Sequence, residues 1–221
     1  MKNILKSSLI AIFLVTTLVP EYLIAQTATV ETELDKKVKQ FLSAQSRQWH
    51  DMNVPAVDAK KLFDLVLEGN YKSALEIGTS TGYSGIYIAW ALSKTGGKLI
   101  TIDIDEGRHK TALKNFKEAG LSDYVDARLA DAHVLVKELD GPFDFIFSDA
   151  DKNWYTNYFD DIHPKLKIGG CYTTHNIIDG GRGGRRGWNQ DYLDYIRSLD
   201  NYETSLFSDG GGLLISYKRG K

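Results

Sequence analysis

The segment from Ala74 to Gly85, ALEIGTSTGYSG, most constrains how this chain can fold. An apolar strand pattern ending at Ile77 runs into a glycine-rich turn, and helical periodicity follows from Tyr83 to about Leu92. A strand, tight turn and helix in this order form nucleotide sites in α/β sheets, because glycines let the backbone approach a ligand and the helix N-terminus offers free N–H groups. A lone glycine turn is a weak signal, since such units often need glycine for steric reasons alone.

The glycine spacing and two acids indicate which nucleotide fits this turn. Gly78 and Gly82 are four positions apart, which differs from the dinucleotide fingerprint and disfavours a nicotinamide dehydrogenase. Glu76 at the strand end would repel a pyrophosphate, but it suits the cationic methionine end of S-adenosylmethionine (SAM). The next strand ends at Asp103, where an acid hydrogen-bonds ribose hydroxyls in other nucleotide folds. The sequence therefore predicts a SAM site.

The first 26 residues have the features of a secretory signal peptide. Lys2 and Lys6 precede an apolar run from Leu9 to Val19, and Ala25 is a small residue suited to cleavage. The run is shorter than the roughly 20 residues of a bilayer-spanning helix, so no membrane span is expected after processing. We expect a periplasmic or secreted protein; the alternative is an uncleaved anchor that leaves the domain on the cytoplasmic face. How an exported protein would obtain SAM, which is made in the cytosol, stays open.

Residues 27–221 are long enough for one domain, in which strand and helix patterns alternate. This alternation predicts a mostly parallel sheet, and the hairpin-length connection between the last two strands requires at least one antiparallel strand. The predicted strands are Ala74–Ile77, Lys98–Asp103, Val125–Leu129, Phe143–Phe147, Gly169–Thr174, Tyr202–Phe207 and Leu213–Lys218. The predicted helices include Thr27–Gln48, Val57–Leu67, Glu106–Ala119 and Trp154–Ile162. The formal net charge of −2 gives no electrostatic case for a nucleic-acid surface.

Further polar residues follow the later predicted strands, at the edge where open α/β sheets bind ligands. They are Asp131, Asp149 and the pair His175 and Asn176. An aspartate in this position is most often a helix N-cap, and for Asp131 capping and function are equally good explanations. With Ala132, Asp131 would reach the adenine edge. Polar groups after so many strands in succession make capping a poor explanation for all of them.

These motifs resemble the SAM-dependent O-methyltransferases of the catechol and caffeoyl-CoA type. The resemblance extends from about Gln48 to Lys218 and rests on five segments: Met52–Val54, Glu76–Ser84, Ile102–Asp105, Asp149–Lys152 and His175–Asn176. It implies a Rossmann-like class I methyltransferase fold, with a mostly parallel seven-stranded sheet, an antiparallel C-terminal hairpin strand and helices on both faces. It also implies methyl transfer to a hydroxyl of a small catechol-like or phenolic acceptor.

The resemblance assigns roles to particular residues. The Met-Asn-Val segment would fold over the cofactor, Glu76 and Ser84 would hold its methionine end, and Asp103 would hold its ribose. Asp149 would be a metal ligand and Lys152 would stand beside the acceptor hydroxyl, although a solvated lysine is the usual alternative. The full set of expected cofactor-binding residues is Met52, Val54, Glu76, Gly78, Gly82, Tyr83, Ser84, Asp103, Asp131, Ala132 and Asp149.

The chain departs from the family pattern at the end of the fifth strand, where the family has aspartate followed by asparagine and this chain has His175 and Asn176. The expected metal ligands are Asp149, His175 and Asn176. Imidazole favours Mn or Zn over Mg, which prefers hard oxygen ligands. The alternatives are a metal-free site with His175 as base, an inactive relic, or a structural histidine bonded to backbone. Either Lys152 or His175 would take the acceptor's proton.

Two other functions stay open. The segment Asp179–Trp188 contains three arginines among glycines, and it could close over an acceptor or be a solvated loop. Arg-Gly-Gly composition also occurs in RNA-binding segments, so a tRNA-modifying O-methyltransferase is one alternative. A noncatalytic SAM-binding module is another. The sequence leaves open the acceptor's identity and the oligomeric state, with a homodimer among the possibilities.

Overall fold

The computed structural model describes residues 31–180, residue 187 and residues 189–221. The predicted signal peptide and most of the arginine-rich segment therefore lie outside the described residues. Residues Thr32–Lys221 cluster into one unit. Within the described ranges, no helix combines the length and the apolar character needed to cross a bilayer.

Seven strands alternate with seven α-helices along the described chain. The strands are β1 (Ser73–Ile77), β2 (Lys98–Asp103), β3 (Val125–Leu129), β4 (Phe143–Ser148), β5 (Leu166–Thr174), β6 (Tyr202–Phe207) and β7 (Leu213–Lys218). The helices are α1 (Glu33–Ala44), α2 (Ala56–Glu68), α3 (Tyr83–Thr95), α4 (Glu106–Ala119), α5 (Ala132–Glu138), α6 (Tyr155–Ile162) and α7 (Gln190–Arg197). Short 3-10 turns cover Ser122–Tyr124, Lys152–Trp154 and His163–Lys165.

All seven strands form one sheet in the order β3-β2-β1-β4-β5-β7-β6. Strands β1 to β5 are parallel to one another, because a helix connects each to the next, and β7 runs antiparallel to both β5 and β6. The predicted fold class is confirmed. Four of the predicted strands have the observed bounds, while β5 begins three residues earlier than predicted, at Leu166.

One helix prediction needs correction, and one helix was not predicted. The first helix begins at Glu33 rather than Thr27, because Thr32 caps it: the Thr32 hydroxyl accepts from the Asp35 backbone N–H, and the Asp35 carboxylate accepts from the Thr32 backbone N–H. Helix α7 was not predicted, although the buried residues Tyr192, Leu193 and Ile196 have helical spacing.

Each face of the sheet carries its own apolar core, because neighbouring residues of a strand point to opposite faces. On β4, Phe145 and Phe147 pack with helices α1 to α4, while Ile146 packs with helices α5 to α7. The two layers bury most of β1, β2, β4 and β5, whereas β3 at the edge of the sheet has no fully buried residue, and the carboxyl ends of the four buried strands meet at one edge. This edge holds the candidate site.

Candidate active site

A cavity of about 590 Å³ opens at the carboxyl edge of the sheet. It is lined by the end of β2, by the segments that follow β1 to β5 and by the segment before α2. Most residues singled out from the sequence meet there: Met52, Val54, Gly78, Ser84, Asp103, Asp131, Ala132, Asp149, Lys152, His175 and Asn176. Strand ends that are distant in sequence thus meet at one site, as the parallel topology requires.

Three of the expected cofactor-binding residues do not line this cavity. Glu76 is fully buried, and its carboxylate accepts hydrogen bonds from the hydroxyls of Ser84 at 2.6 Å and Thr101 at 2.5 Å. Burial raises the pKa of Glu76 to about 7, although the two hydroxyls oppose the shift. Gly82 precedes α3 in the left-handed conformation, and the Tyr83 ring packs on Trp49 at 4.8 Å. Glu76 therefore acts on the cavity through Ser84, which lines it.

The turn after β1 requires glycine at its first position. Gly78 has a φ of +104°, and a Cβ added there would lie 2.8 Å from the Asp149 carbonyl oxygen. The backbone N–H groups of Gly78 and Thr79 both donate to the Ile102 carbonyl oxygen, at 2.9 and 3.0 Å. The turn is thus held close against the ends of β2 and β4, and its backbone faces the cavity.

The Asp103 carboxylate is fixed at the end of β2 by two backbone donors. Its Oδ2 accepts from the Ser80 N–H at 2.7 Å, and its Oδ1 accepts from the Asp105 N–H at 2.9 Å. Because a carboxylate oxygen has more than one lone pair, each oxygen keeps capacity for a further donor. A vicinal diol, such as that of a ribose, has the two donors that this carboxylate can accept.

The segment 51–54 is fastened over the cavity by polar contacts that the sequence did not reveal. The Arg108 guanidinium donates to both oxygens of Asp51, each at 3.0 Å, and this contact raises the pKa of Arg108. The Ser80 hydroxyl donates to the Asp51 carbonyl oxygen at 2.8 Å. Met52 has a φ of +53° and a 68% exposed side chain, although it lines the cavity. A bound ligand would cover this exposed apolar surface.

The opposite wall is built around α5. Asp131 is its N-cap and accepts from the His133 N–H at 2.9 Å, so the capping role weighed for Asp131 is present while the residue also lines the cavity. The His133 ring packs on Trp154 with centroids 4.3 Å apart and an interplanar angle of 31°. Ile104, which is 69% exposed, also lines the cavity. An apolar side chain near the ribose-binding candidate Asp103 suits the flat face of a purine.

His175 lies between two carboxylates at the inner end of the cavity. Its Nδ1 is 3.1 Å from Asp149 Oδ2, and its Nε2 is 2.9 Å from Oδ2 of Asp58, a fully buried residue of α2. Burial alone would lower the pKa of His175, but the hydrogen bonds and charges of Asp149 and Asp58 outweigh it and raise that pKa. We call this arrangement the Asp58–His175–Asp149 bridge. If His175 were the structural histidine considered from the sequence, its ring would bond to backbone. Both ring nitrogens face carboxylates instead.

Asp58 is a further site residue that sequence reasoning missed. It lies on the apolar face of α2, four residues before the buried Leu62 and seven before the buried Leu65. An acid inside an apolar helical stripe was the available signal, because aspartate is rarely buried without a partner. Asp58 also accepts from the Gly211 N–H at 2.6 Å.

Lys152 completes the polar end of the cavity. Its ammonium donates to Asn176 Oδ1 and lies 3.4 Å from Asp149 Oδ1, and its side chain is 33% exposed. The Tyr155 hydroxyl donates to the His175 carbonyl oxygen at 3.0 Å. Lys152 is therefore the candidate base whose nitrogen is accessible from the cavity, whereas both nitrogens of His175 face carboxylates.

The three expected metal ligands do not fit a divalent cation in this arrangement. Both His175 nitrogens are taken by carboxylates, and Asn176 Oδ1 and Asp149 Oδ1 face the Lys152 ammonium. A cation at this point would stand against the Lys152 ammonium and beside a His175 ring both of whose nitrogens already face carboxylates. Across the described parts of the chain, no group of three or more His, Cys, Asp or Glu residues could hold a metal ion.

The seven-stranded sheet and its edge cavity define a Rossmann-like domain of the class I methyltransferase type. A family model described as O-methyltransferase matches residues 25–190, and the chain belongs to this family.

Curated relatives are similar to this chain over part of their length. A catechol O-methyltransferase from Niastella koreensis is 42% identical over 115 residues, which are 50% of this chain and 52% of the relative. Caffeoyl-CoA O-methyltransferase 1 from Eucalyptus globulus is 34% identical over 135 residues, which are 59% of this chain and 54% of the relative. The matches thus span about half the length of these relatives.

Solved structures share the fold. An O-methyltransferase from Bacillus cereus in complex with SAH superposes with a TM-score of 0.71 at 23% identity, covering 87% of this chain and 94% of that chain. An O-methyltransferase from Streptomyces achromogenes in complex with SAM has the same TM-score and identity, covering 87% of this chain and 93% of that chain.

Proposed function

We propose that this protein is a SAM-dependent O-methyltransferase that methylates a hydroxyl of a small catechol-like or phenolic acceptor. The observation that carries the proposal is that one cavity holds both Asp103, suited to a ribose, and Lys152, suited to an acceptor hydroxyl. The catechol and caffeoyl-CoA O-methyltransferases to which the chain is similar support the acceptor class.

Several features of the cavity suit SAM. Gly78 lines the cavity and has no side chain, so a ligand can approach the backbone of the turn there. Asp103 offers free lone pairs to a diol, Ile104 offers an apolar face to the adenine, and Asp131 and Ala132 lie on the same wall. Ser84, held in place by its hydrogen bond to Glu76, faces the remaining part of the cavity and would contact the methionine end.

The chain's contribution to the reaction is alignment and acceptance of a proton. SAM supplies a methyl group on a sulfonium: the acceptor oxygen bonds the methyl carbon as the carbon–sulfur bond breaks and leaves its electron pair on sulfur. Lys152 takes the hydroxyl proton when its amine is neutral, and the Asp149 and Asn176 side chains fix its position. Alignment of two bound reactants can lower a barrier by roughly 7–11 kcal/mol.

The test is SAM binding by calorimetry followed by turnover on a panel of catechols and phenols. The expected result is binding of SAM and formation of methylated product, with product formation reduced in Lys152→Met. Binding without turnover on any acceptor would support the noncatalytic binding module instead. Turnover on tRNA alone would support the RNA-modifying alternative. Mass spectrometry of small molecules that co-purify with the protein would identify the acceptor.

We also propose that the chain is exported, on the strength of the basic and apolar pattern in its first 26 residues. Fractionation of C-terminally tagged protein and N-terminal sequencing of the product test this. A processed N-terminus near residue 27 in the exported fraction is expected. An intact N-terminus in the membrane fraction would indicate an uncleaved anchor.

A further inference from the structure

The central residue of the Asp58–His175–Asp149 bridge, His175, stands where the family pattern has a second aspartate. Side-chain exposure is 0% for Asp58, 4% for His175 and 11% for Asp149, so the bridge is shielded from water. The His175 Nδ1 lies 3.1 Å from Asp149 Oδ2 and the Nε2 lies 2.9 Å from Asp58 Oδ2. Each ring nitrogen is therefore occupied by a carboxylate, and neither is open to a metal or to an acceptor's proton.

Two basic side chains, His175 and Lys152, already stand against the Asp149 carboxylate, where a divalent cation would otherwise bind. Two carboxylates, Asp58 and Asp149, are matched by the doubly hydrogen-bonded His175 ring, and Lys152 stands within 3.4 Å of Asp149. An imidazole must be neutral and have a free lone pair to bind a metal. Metal binding would therefore break one His175–carboxylate contact. If the broken contact were that to Asp58, it would leave a fully buried carboxylate without the His175 ring as its partner.

We propose that this protein transfers methyl groups without a divalent cation. In place of a bound cation, the Asp58–His175–Asp149 bridge holds the side chains at the acceptor end of the cavity in the geometry that the reaction needs. The inference rests on the proposed function. Asp58 acts as a positioning residue: it fixes His175, which fixes the Asp149 carboxylate beside Lys152.

The inference predicts that an acceptor needs only one hydroxyl. A bound metal favours acceptors with two vicinal oxygens, because it can chelate both. In this site one hydroxyl beside Lys152 is sufficient, and a second hydroxyl gains no chelation. Monohydroxy phenols are therefore substrates alongside catechols, at rates set by shape and hydroxyl acidity.

The first experiment compares the chelator-treated full chain with the same protein supplied with Mg²⁺, Mn²⁺ or Zn²⁺. Methyl transfer to a catechol and to a matched monohydroxy phenol is expected to stay within about twofold in all conditions, since no ligand set is available to be filled. Electron paramagnetic resonance of added Mn²⁺ gives a readout independent of turnover, and no stoichiometric binding is expected. Stoichiometric Mn²⁺ binding, or activity that chelator removes and metal restores, would overturn the proposal. If SAM binds but no acceptor turns over, the proposed function fails while the Mn²⁺ measurement still decides the metal question.

The second experiment uses variants. Asp58→Asn is expected to lower kcat about tenfold or more with little change in acceptor KM or SAM Kd, because it frees the ring that positions Asp149. The matched control is Asp64→Asn, an aspartate on the same helix that pairs with Lys60 at the surface.

The double variant His175→Asp with Asp58→Asn restores the family carboxylate, and it is expected to gain Mn²⁺ binding. An unchanged kcat in Asp58→Asn would exclude the positioning role of Asp58. Mn²⁺ binding by the parent as tight as that of the double variant would overturn the proposal.

Discussion

The His175 Nε2 and the Asp58 Oδ2 lie 2.9 Å apart, although 117 positions separate the two residues in the chain. One belongs to the loop after β5 and the other to the first turn of α2, and the Gly211 N–H joins them from the connection before β7. Three separate parts of the chain thus meet at one buried contact. The geometry of the acceptor end consequently depends on the packing of α2 and β7 as well as on the strand ends.

Asp103→Ala should weaken SAM binding. The change removes the carboxylate proposed to hold the ribose hydroxyls, and leaving such partners unsatisfied typically costs about 1–3 kcal/mol. Calorimetry with SAM measures the loss. Asp126→Ala, which removes an exposed acid on β3 that pairs with Arg128, is the control and should bind like the parent. Equal affinity in the Asp103 variant would rule out the ribose assignment.

Lys152→Met should reduce catalysis far more than cofactor binding. General base catalysis typically contributes about 10²- to 10⁴-fold, so kcat should fall by that order while SAM affinity stays near that of the parent. Lys114→Met, which removes an exposed lysine of α4, is the control. Steady-state kinetics on a catechol distinguishes the two variants. A kcat close to the parent value in Lys152→Met would exclude Lys152 as the base.

Arg108→Ala should speed the release of SAM with little effect on folding. Arg108 and Asp51 are 35% and 48% exposed, and such pairs contribute roughly 0.2–1 kcal/mol to stability. Their contact nevertheless fastens the segment 51–54 over the cavity. Stopped-flow dissociation and urea unfolding measure the two effects. The surface pair Arg128 and Asp126 has nearly the same exposure, 36% and 48%, so Arg128→Ala should match the folding effect and leave release unchanged.

Glu76→Gln should alter how stability depends on pH in the SAM-free protein. Burial raises the pKa of Glu76 from 4.5 to about 7, so the folded state favours the protonated acid. The stability contributed by this group is fully present below about pH 4.5 and is lost as pH rises through about 7. Glutamine stays neutral, so the variant should gain stability relative to the parent across this window, on the order of 1–3 kcal/mol.

Urea unfolding of both proteins between pH 5 and 8 checks this expectation. Glu118→Gln, at an exposed position of α4, is the control and should follow the parent at every pH. A constant stability difference between parent and Glu76→Gln across the window would show that Glu76 is ionised in the folded protein throughout.

The sheet could be predicted because each strand is a short segment, either mostly apolar or alternating between apolar and polar residues, that ends in a turn or a polar residue. Strands β2 and β3 have the predicted bounds for this reason. Helix α7 was missed because it follows the glycine- and arginine-rich segment, where composition suggests a loop, although Tyr192 and Ile196 have helical spacing. The helical spacing of these apolar residues was too short a signal to outweigh the loop-like composition of the preceding segment.

The cofactor end of the site was more predictable than the acceptor end. Gly78 and Asp103 lie within consecutive motifs, so their spacing carries the information. The His175 environment depends on Asp58, whose contact with it joins residues far apart in the chain. No local pattern reports such a contact, and the departure from the family at His175 could be interpreted only once its two carboxylate partners were known.

The position of β7 has a consequence for synthesis of the protein. Although β7 is the last strand in sequence, it lies inside the sheet, between β5 and the edge strand β6. Strand β6 therefore joins the sheet through β7, and a chain that stops before Leu213 loses two strands from the sheet rather than one. A ribosome must pass Lys218 before β5 gains its second neighbour, so a growing chain presents an open strand edge until then.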